Sequence, residues 1–123
     1  MKIKVAENTG FCMGVRKAVL NIVNKINNDK ETIYVYGPLI HNPQTIEILQ
    51  SRGLITIDSL ENIKGKTVAI RTHGIPRESL QILKQKSLQI INLTCPRVAR
   101  VQGSVKKYSR DGYFIIIIGD DHH

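Results

Sequence analysis

The chain of 123 residues has no tryptophan, two cysteines and only 5% aromatic residues. Sparse aromatics leave little surface for stacking on bases. No helix-turn-helix, RNA-recognition or zinc-finger signature occurs, so nucleic acid is not expected as a partner despite a formal net charge of +8. Acidic residues are also scarce, 10 against 18 Lys and Arg. The basic residues are spread over helices and loops rather than packed in one run. Such a field suits a small anionic ligand and an acidic protein partner. The uninterrupted apolar run Phe114 to Ile118 is far too short to span a membrane. There is no internal repeat of solenoid type and no low-complexity linker. Because the cysteines are Cys12 and Cys95, no Cys-x-x-Cys exists, which argues against a zinc knuckle or a thioredoxin-type redox pair. No apolar signal segment opens the sequence. Reduced thiols and a cytoplasmic location are therefore expected, and a structural disulfide is disfavoured. Two readings stay open for the cysteines: small buried hydrophobes, or ligands of a metal cluster.

What is present alternates strand and helix signals over a length of about one domain, enough to bury roughly two thirds of the unfolded surface. Ile3 to Val5 reads as a short strand. Val15, Ala18, Val19, Ile22, Val23 and Ile26 then recur at helical spacing, and Asn27-Asn28-Asp29 ends that helix. Thr32 to Tyr36 reads as a strand broken by Gly37-Pro38. Pro43 to Ser51 fits a short helix closed by Gly53. Leu54 to Ile57 and Thr67 to Ile70 read as strands joined by the polar loop Asp58 to Lys66. Pro76 opens a helix through about Lys86, Gln89 to Leu93 reads as a strand, and a final helix carries Val98, Val101, Val105 and Tyr108 on one face. Phe114 to Ile118 has the apolar continuity of a strand covered on both faces. The expected fold class is α/β, a mostly parallel sheet flanked by helices.

Four motifs fall where an expected strand passes into a loop or helix, the place where open α/β sheets collect ligands. Cys12 lies in Gly10-Phe11-Cys12-Met13-Gly14-Val15 and Cys95 in Asn92-Leu93-Thr94-Cys95-Pro96. Gly10 and Gly14 allow close backbone approach to a bulky group, and a helix N-terminus after each cysteine favours a thiolate. Thr94 is a candidate cap and Pro96 a candidate first helical residue. His41 stands in His41-Asn42-Pro43 and His73 in Thr72-His73-Gly74. A loop histidine is more often structural than functional. Here Asn42-Pro43 fixes the direction of His41 ahead of a helix N-terminus, where anions bind well, and Gly74 and Pro76 constrain His73 in the same way.

Taken together, Gly-Phe-Cys-x-Gly-Val at 10 to 15, Ile40-His41-Asn42, His73-Gly74, Thr94-Cys95-Pro96 and the closing Gly119-Asp120-Asp121-His122-His123 resemble the N-terminal part of the LytB/IspH family of 4-hydroxy-3-methylbut-2-enyl diphosphate reductases. The resemblance implies one lobe of a three-lobed iron-sulfur reductase of the non-mevalonate isoprenoid pathway. Residues 1–112 would form the first lobe, and 113–123 the first strand and histidine loop of a truncated second lobe. It implies Cys12 and Cys95 as ligands of a [4Fe-4S] cluster, with a third cysteine outside these residues. It further implies His41 and His73 as contacts to the substrate diphosphate, and His123 as a catalytic, substrate-binding residue near the hydroxyl. A terminal His122-His123 pair also fits the start of an expression tag. The family's glutamate proton donor and its diphosphate-holding serine and asparagine are not among these residues, so the chain alone is expected to be inactive. Ferredoxin or flavodoxin is the implied electron donor. An alternative from another class is a noncatalytic, basic phosphate-binding α/β module.

Overall fold

The computed structural model describes residues 1–7 and 9–119. Four short parallel strands, β1 (Ile33–Tyr36), β2 (Leu54–Ile57), β3 (Thr67–Ile70) and β4 (Gln89–Asn92), form a sheet in the order β2-β1-β3-β4. The helices are α1 (Met13–Asp29), α2 (Pro43–Gln50), α3 (Arg77–Gln85) and α4 (Pro96–Arg110), and a 3₁₀ turn at Leu60–Asn62 interrupts the loop after β2. This is the α/β architecture expected from the alternating pattern.

Pleating divides the core into two layers. Ile33 and Val35 of β1 join Ala18, Ile22 and Ile26 of α1 and Leu49 of α2 on one face. Tyr34 of β1 and Val68 of β3 meet Leu83 of α3 and Leu60 on the other. Burying each of the larger aliphatic side chains in these layers stabilises the fold by about 1.5–3 kcal/mol. The central strand β3 is buried at every position, whereas the edge strand β4 is not. Continuous apolar sequence marks the centre of a parallel sheet for that reason. Lys30, at φ 51°, closes α1 in a left-handed cap whose N–H donates to the Ile26 carbonyl.

Three expectations are corrected. Ile3 to Val5 is irregular rather than a strand, with Ile3 75% and Val5 78% exposed. A strand exists only where an edge supplies partners for its N–H and C=O groups, and neither β2 nor β4 pairs with this segment. Phe114 to Ile118 is likewise irregular, with Phe114 91% and Ile118 94% exposed, because no sheet or helix among the described residues covers it. The cap of α4 is Cys95, not Thr94, whose own N–H donates to Asn92 Oδ1. Helix α4 does begin at Pro96, but none of its residues is fully buried: on its apolar face Val98 and Val105 are half-buried and Val101 is exposed. Among the described residues, no helix is long and apolar enough to cross a membrane.

Candidate functional site

In the order β2-β1-β3-β4, the connection after β1 leads outward to β2 and the connection after β3 leads the opposite way to β4, which places the topological switch point at the C-terminal ends of β1 and β3. The chain leaving β1 turns at Gly37, buries Leu39 and Ile40, and presents His41. The chain leaving β3 passes through Arg71 and Thr72 to His73. These neighbouring strand ends bring the two imidazoles together, with ring centroids 4.6 Å apart and planes tilted by 48°. Next to His41, Asn42 caps α2 by accepting the Thr45 N–H on Oδ1 at 2.8 Å, and Pro43 occupies the first helical position.

The adjacent strand β4 delivers Cys95 to the same end of the sheet. Cys95 N–H donates to the Thr72 carbonyl at 2.8 Å, which splices the cysteine turn onto the His73 turn. Gly74 seals this junction: at φ +79°, it is conformationally suited to glycine, and a Cβ there would stand 3.1 Å from Gln102 Nε2 of α4 and 3.6 Å from the Thr94 methyl.

Cys12 arrives from the opposite direction, as the N-cap of α1. Like Cys95, it makes no side-chain cap hydrogen bond, which leaves its sulfur uncommitted to the helix. The link between the two cysteine turns is Gly14. A Cβ at this position would lie 2.6 Å from Cys95 Sγ and 3.2 Å from Cys95 Cβ, so only a glycine in the first turn of α1 admits the Cys95 thiol. The expected close approach at Gly14 is therefore real, and the bulky group is the other cysteine. Gly10 differs: it sits at φ +95°, which suits glycine in the turn, and no described residue lies within 4 Å of the place a Cβ would take. Both cysteines are free; Cys12 is exposed and Cys95 half-buried. Cys12 also lines an open groove with Met13, Arg16, Lys17 and Asn21.

Two thiols at neighbouring helix N-termini are soft donors that suit iron in a sulfur-bridged cluster better than a hard cation. Among the described residues, no group of three or more His, Cys, Asp or Glu side chains is placed to hold a metal ion. Four of the residues singled out from sequence, Cys12, Cys95, His41 and His73, thus belong to turns that share one end of the sheet. His123 lies outside the described residues.

Sequence reasoning placed Arg71 near the site motifs and Thr72 and Gly37 in its turns, but gave none of the three the supporting role it has. Thr72 is buried, and its hydroxyl donates to the Leu39 carbonyl at 3.0 Å. Arg71 Nε donates to the Gly74 carbonyl at 3.2 Å, holding the His73 turn from beneath. Gly37, at φ +71°, makes room for Arg71, whose Nη1 lies 2.6 Å from the place a Cβ would take. A threonine two positions beyond the expected strand Thr67 to Ile70, directly before His73, was the available signal for Thr72. Nothing local pairs Gly37 with Arg71.

The LytB protein family matches residues 3–123. A 4-hydroxy-3-methylbut-2-enyl diphosphate reductase from Caldanaerobacter subterraneus is 40% identical over the whole of this chain and 44% of its own length. The corresponding protein of Aquifex aeolicus is 39% identical over 98% of this chain and 42% of its own. Among solved structures, (E)-4-hydroxy-3-methyl-but-2-enyl diphosphate reductase superposes with a TM-score of 0.82 at 39% identity, over 98% of this chain and 43% of that one. A Plasmodium falciparum E-1-hydroxy-2-methyl-but-2-enyl-4-diphosphate reductase gives a TM-score of 0.89 at 31% identity, over 95% and 37%. The chain therefore spans less than half the length of the relatives it matches.

Proposed function

The chain belongs to the LytB family, and on that premise we propose that it is the N-terminal part of a cytoplasmic 4-hydroxy-3-methylbut-2-enyl diphosphate reductase. That enzyme would remove the allylic hydroxyl of its substrate as water, using two electrons and two protons, to give isopentenyl and dimethylallyl diphosphate. The single observation that carries the reading is the convergence of two cysteine turns with a histidine pair at one end of the sheet. In this proposal residues 1–112 are the first lobe and 113–123 the start of a second.

Cys12 and Cys95 are assigned as two of the thiolate ligands of a [4Fe-4S] cluster. When bound, that cluster supplies the electrons and the Lewis-acidic iron on which loss of a hydroxyl depends. His41 and His73 bind and orient the substrate: imidazole N–H groups donate to diphosphate oxygens, and the rings' 4.6 Å separation suits two contacts to one anion. Arg71 and the net charge of +8 add an attractive field for that anion. His123 is assigned a place beside the substrate hydroxyl, where it holds a proton. The same positive field suits an acidic electron donor of the ferredoxin or flavodoxin kind.

The test is made on the full-length parent carrying Cys12→Ser or Cys95→Ser. Loss of bound iron together with loss of turnover is the expected result. Normal iron content with normal turnover in either variant would refute the ligand assignment. Pyrophosphate binding by metal-free protein that survives Cys12→Ser, in a full-length chain that never acquires iron, would favour a noncatalytic phosphate-binding module instead.

A further inference from the structure

The turns carrying His41, His73 and Cys95 leave three different strands, and one buried residue meets all three. Thr72 is 3% exposed. Its hydroxyl donates to the Leu39 carbonyl at 3.0 Å, and its backbone N–H reaches the same oxygen at 3.3 Å. Its carbonyl accepts the Cys95 N–H at 2.8 Å. Leu39 lies two positions before His41, and Thr72 directly precedes His73. Any residue but proline at position 72 provides the two backbone bonds. The hydroxyl bond is what threonine adds, and it links the β1 and β3 ends.

We propose that Thr72 is a positioning residue whose hydroxyl sets the separation and tilt of His41 and His73, and through them the affinity of the site for a diphosphate. The diphosphate part rests on the assignment of these histidines made above. Leu39 and Ile40 are 0% and 3% exposed, so the root of the His41 turn is anchored in the core and moves with whatever holds the Leu39 carbonyl. The backbone bond alone is at the long end of the useful range for N–H···O. Replacing the hydroxyl with a methyl leaves a buried carbonyl held by that bond only and sets an apolar group against it. The two loops then part, and a diphosphate can no longer meet both rings at hydrogen-bond distance.

The experiment uses the 123-residue chain as wild type, Thr72→Ser and Thr72→Val. Two quantities are read: the nuclear Overhauser contact between the two imidazoles, and calorimetric affinity for inorganic pyrophosphate. Wild type and Thr72→Ser should keep the ring contact and bind alike, while Thr72→Val should lose the contact and bind about tenfold more weakly. The proposal is overturned if Thr72→Val retains both, even with a lowered melting temperature, since the hydroxyl is then only structural. It is equally overturned if Thr72→Ser fails to rescue. Should the wild type bind no pyrophosphate while Thr72→Val still loses the ring contact, the positioning role stands and the diphosphate assignment falls. If Thr72→Val does not fold, the Thr72 hydroxyl proton of the wild type decides: protection from exchange supports the proposal, and free exchange overturns it.

Discussion

Gly14→Ala is the most diagnostic single substitution in this fold, because two opposing effects can be weighed from the structure. A Cβ at position 14 would stand 2.6 Å from Cys95 Sγ, 3.2 Å from Cys95 Cβ and 3.8 Å from Cys95 Cα. Ordinary contact between such atoms is about 3.5–4.0 Å, so the sulfur must retreat by about 1 Å. Cys95 has little freedom to do so, since its N–H is tied to the Thr72 carbonyl and the next residue is Pro96. Overpacking of this kind costs about 1–3 kcal/mol. Against it stands the helix propensity of alanine, at most about 1 kcal/mol over glycine in a helix interior and less in the first turn, where Gly14 lies. The expected net effect is a destabilisation of about 1–2 kcal/mol. Urea unfolding should show a lowered midpoint with an unchanged slope. The cycle completed by Cys95→Ala isolates the cause: without Sγ only the 3.2 Å contact to Cβ and the ordinary 3.8 Å contact to Cα remain, so most of the Gly14→Ala penalty should vanish in the double variant. A Gly14→Ala chain that is more stable than wild type, with zero coupling to Cys95→Ala, would refute the claimed packing of the two cysteine turns.

Other substitutions probe the remaining parts of the site. Gly37→Ala should cost about 1–2 kcal/mol, because residue 37 sits at φ +71°. Its methyl should also displace the Arg71 guanidinium and break the Arg71–Gly74 bond, which a thermal melt and the His73 imidazole resonances together would register. Asn42→Ala removes the side-chain acceptor of the Thr45 N–H and should destabilise the chain by about 0.5–2 kcal/mol in denaturant titration, where an unchanged midpoint would deny the cap its role. Thr56 lies on edge strand β2, and its hydroxyl oxygen is buried without a hydrogen-bond partner among the described residues. Thr56→Val should therefore stabilise by about 0.5–1.5 kcal/mol in the same titration; a loss of stability would mean the hydroxyl is satisfied in solution.

Much of this fold can be read from local chemistry. The spacing of Ala18, Ile22 and Ile26 marks α1 as an amphipathic helix, Asn42-Pro43 starts α2, and the apolar, β-branched runs of Ile33 to Tyr36 and Thr67 to Ile70 mark β1 and β3. The four site motifs are legible too, because glycine, proline, cysteine and histidine at strand ends carry their constraints in their own covalent structure. Partnership across the chain is not legible in this way. The alternation at Ile3 to Val5 and the apolar run Phe114 to Ile118 satisfy every local criterion for a strand, yet neither finds an edge among the described residues, and a strand is a relation between segments rather than a property of one. The same holds for α4, whose valine stripe is correct for a helix but is only partly covered by the described residues. By itself the sequence determined which segments are helical, which four turns carry reactive side chains, and the family to which they belong. Only the tertiary structure decided that β3 lies between β1 and β4, which sets His73 beside His41, ties Cys95 to Thr72, and makes Gly14 the gap that Cys95 fills. These are contacts between residues far apart in sequence, and they are fixed by how the two core layers pack, to which no local window has access.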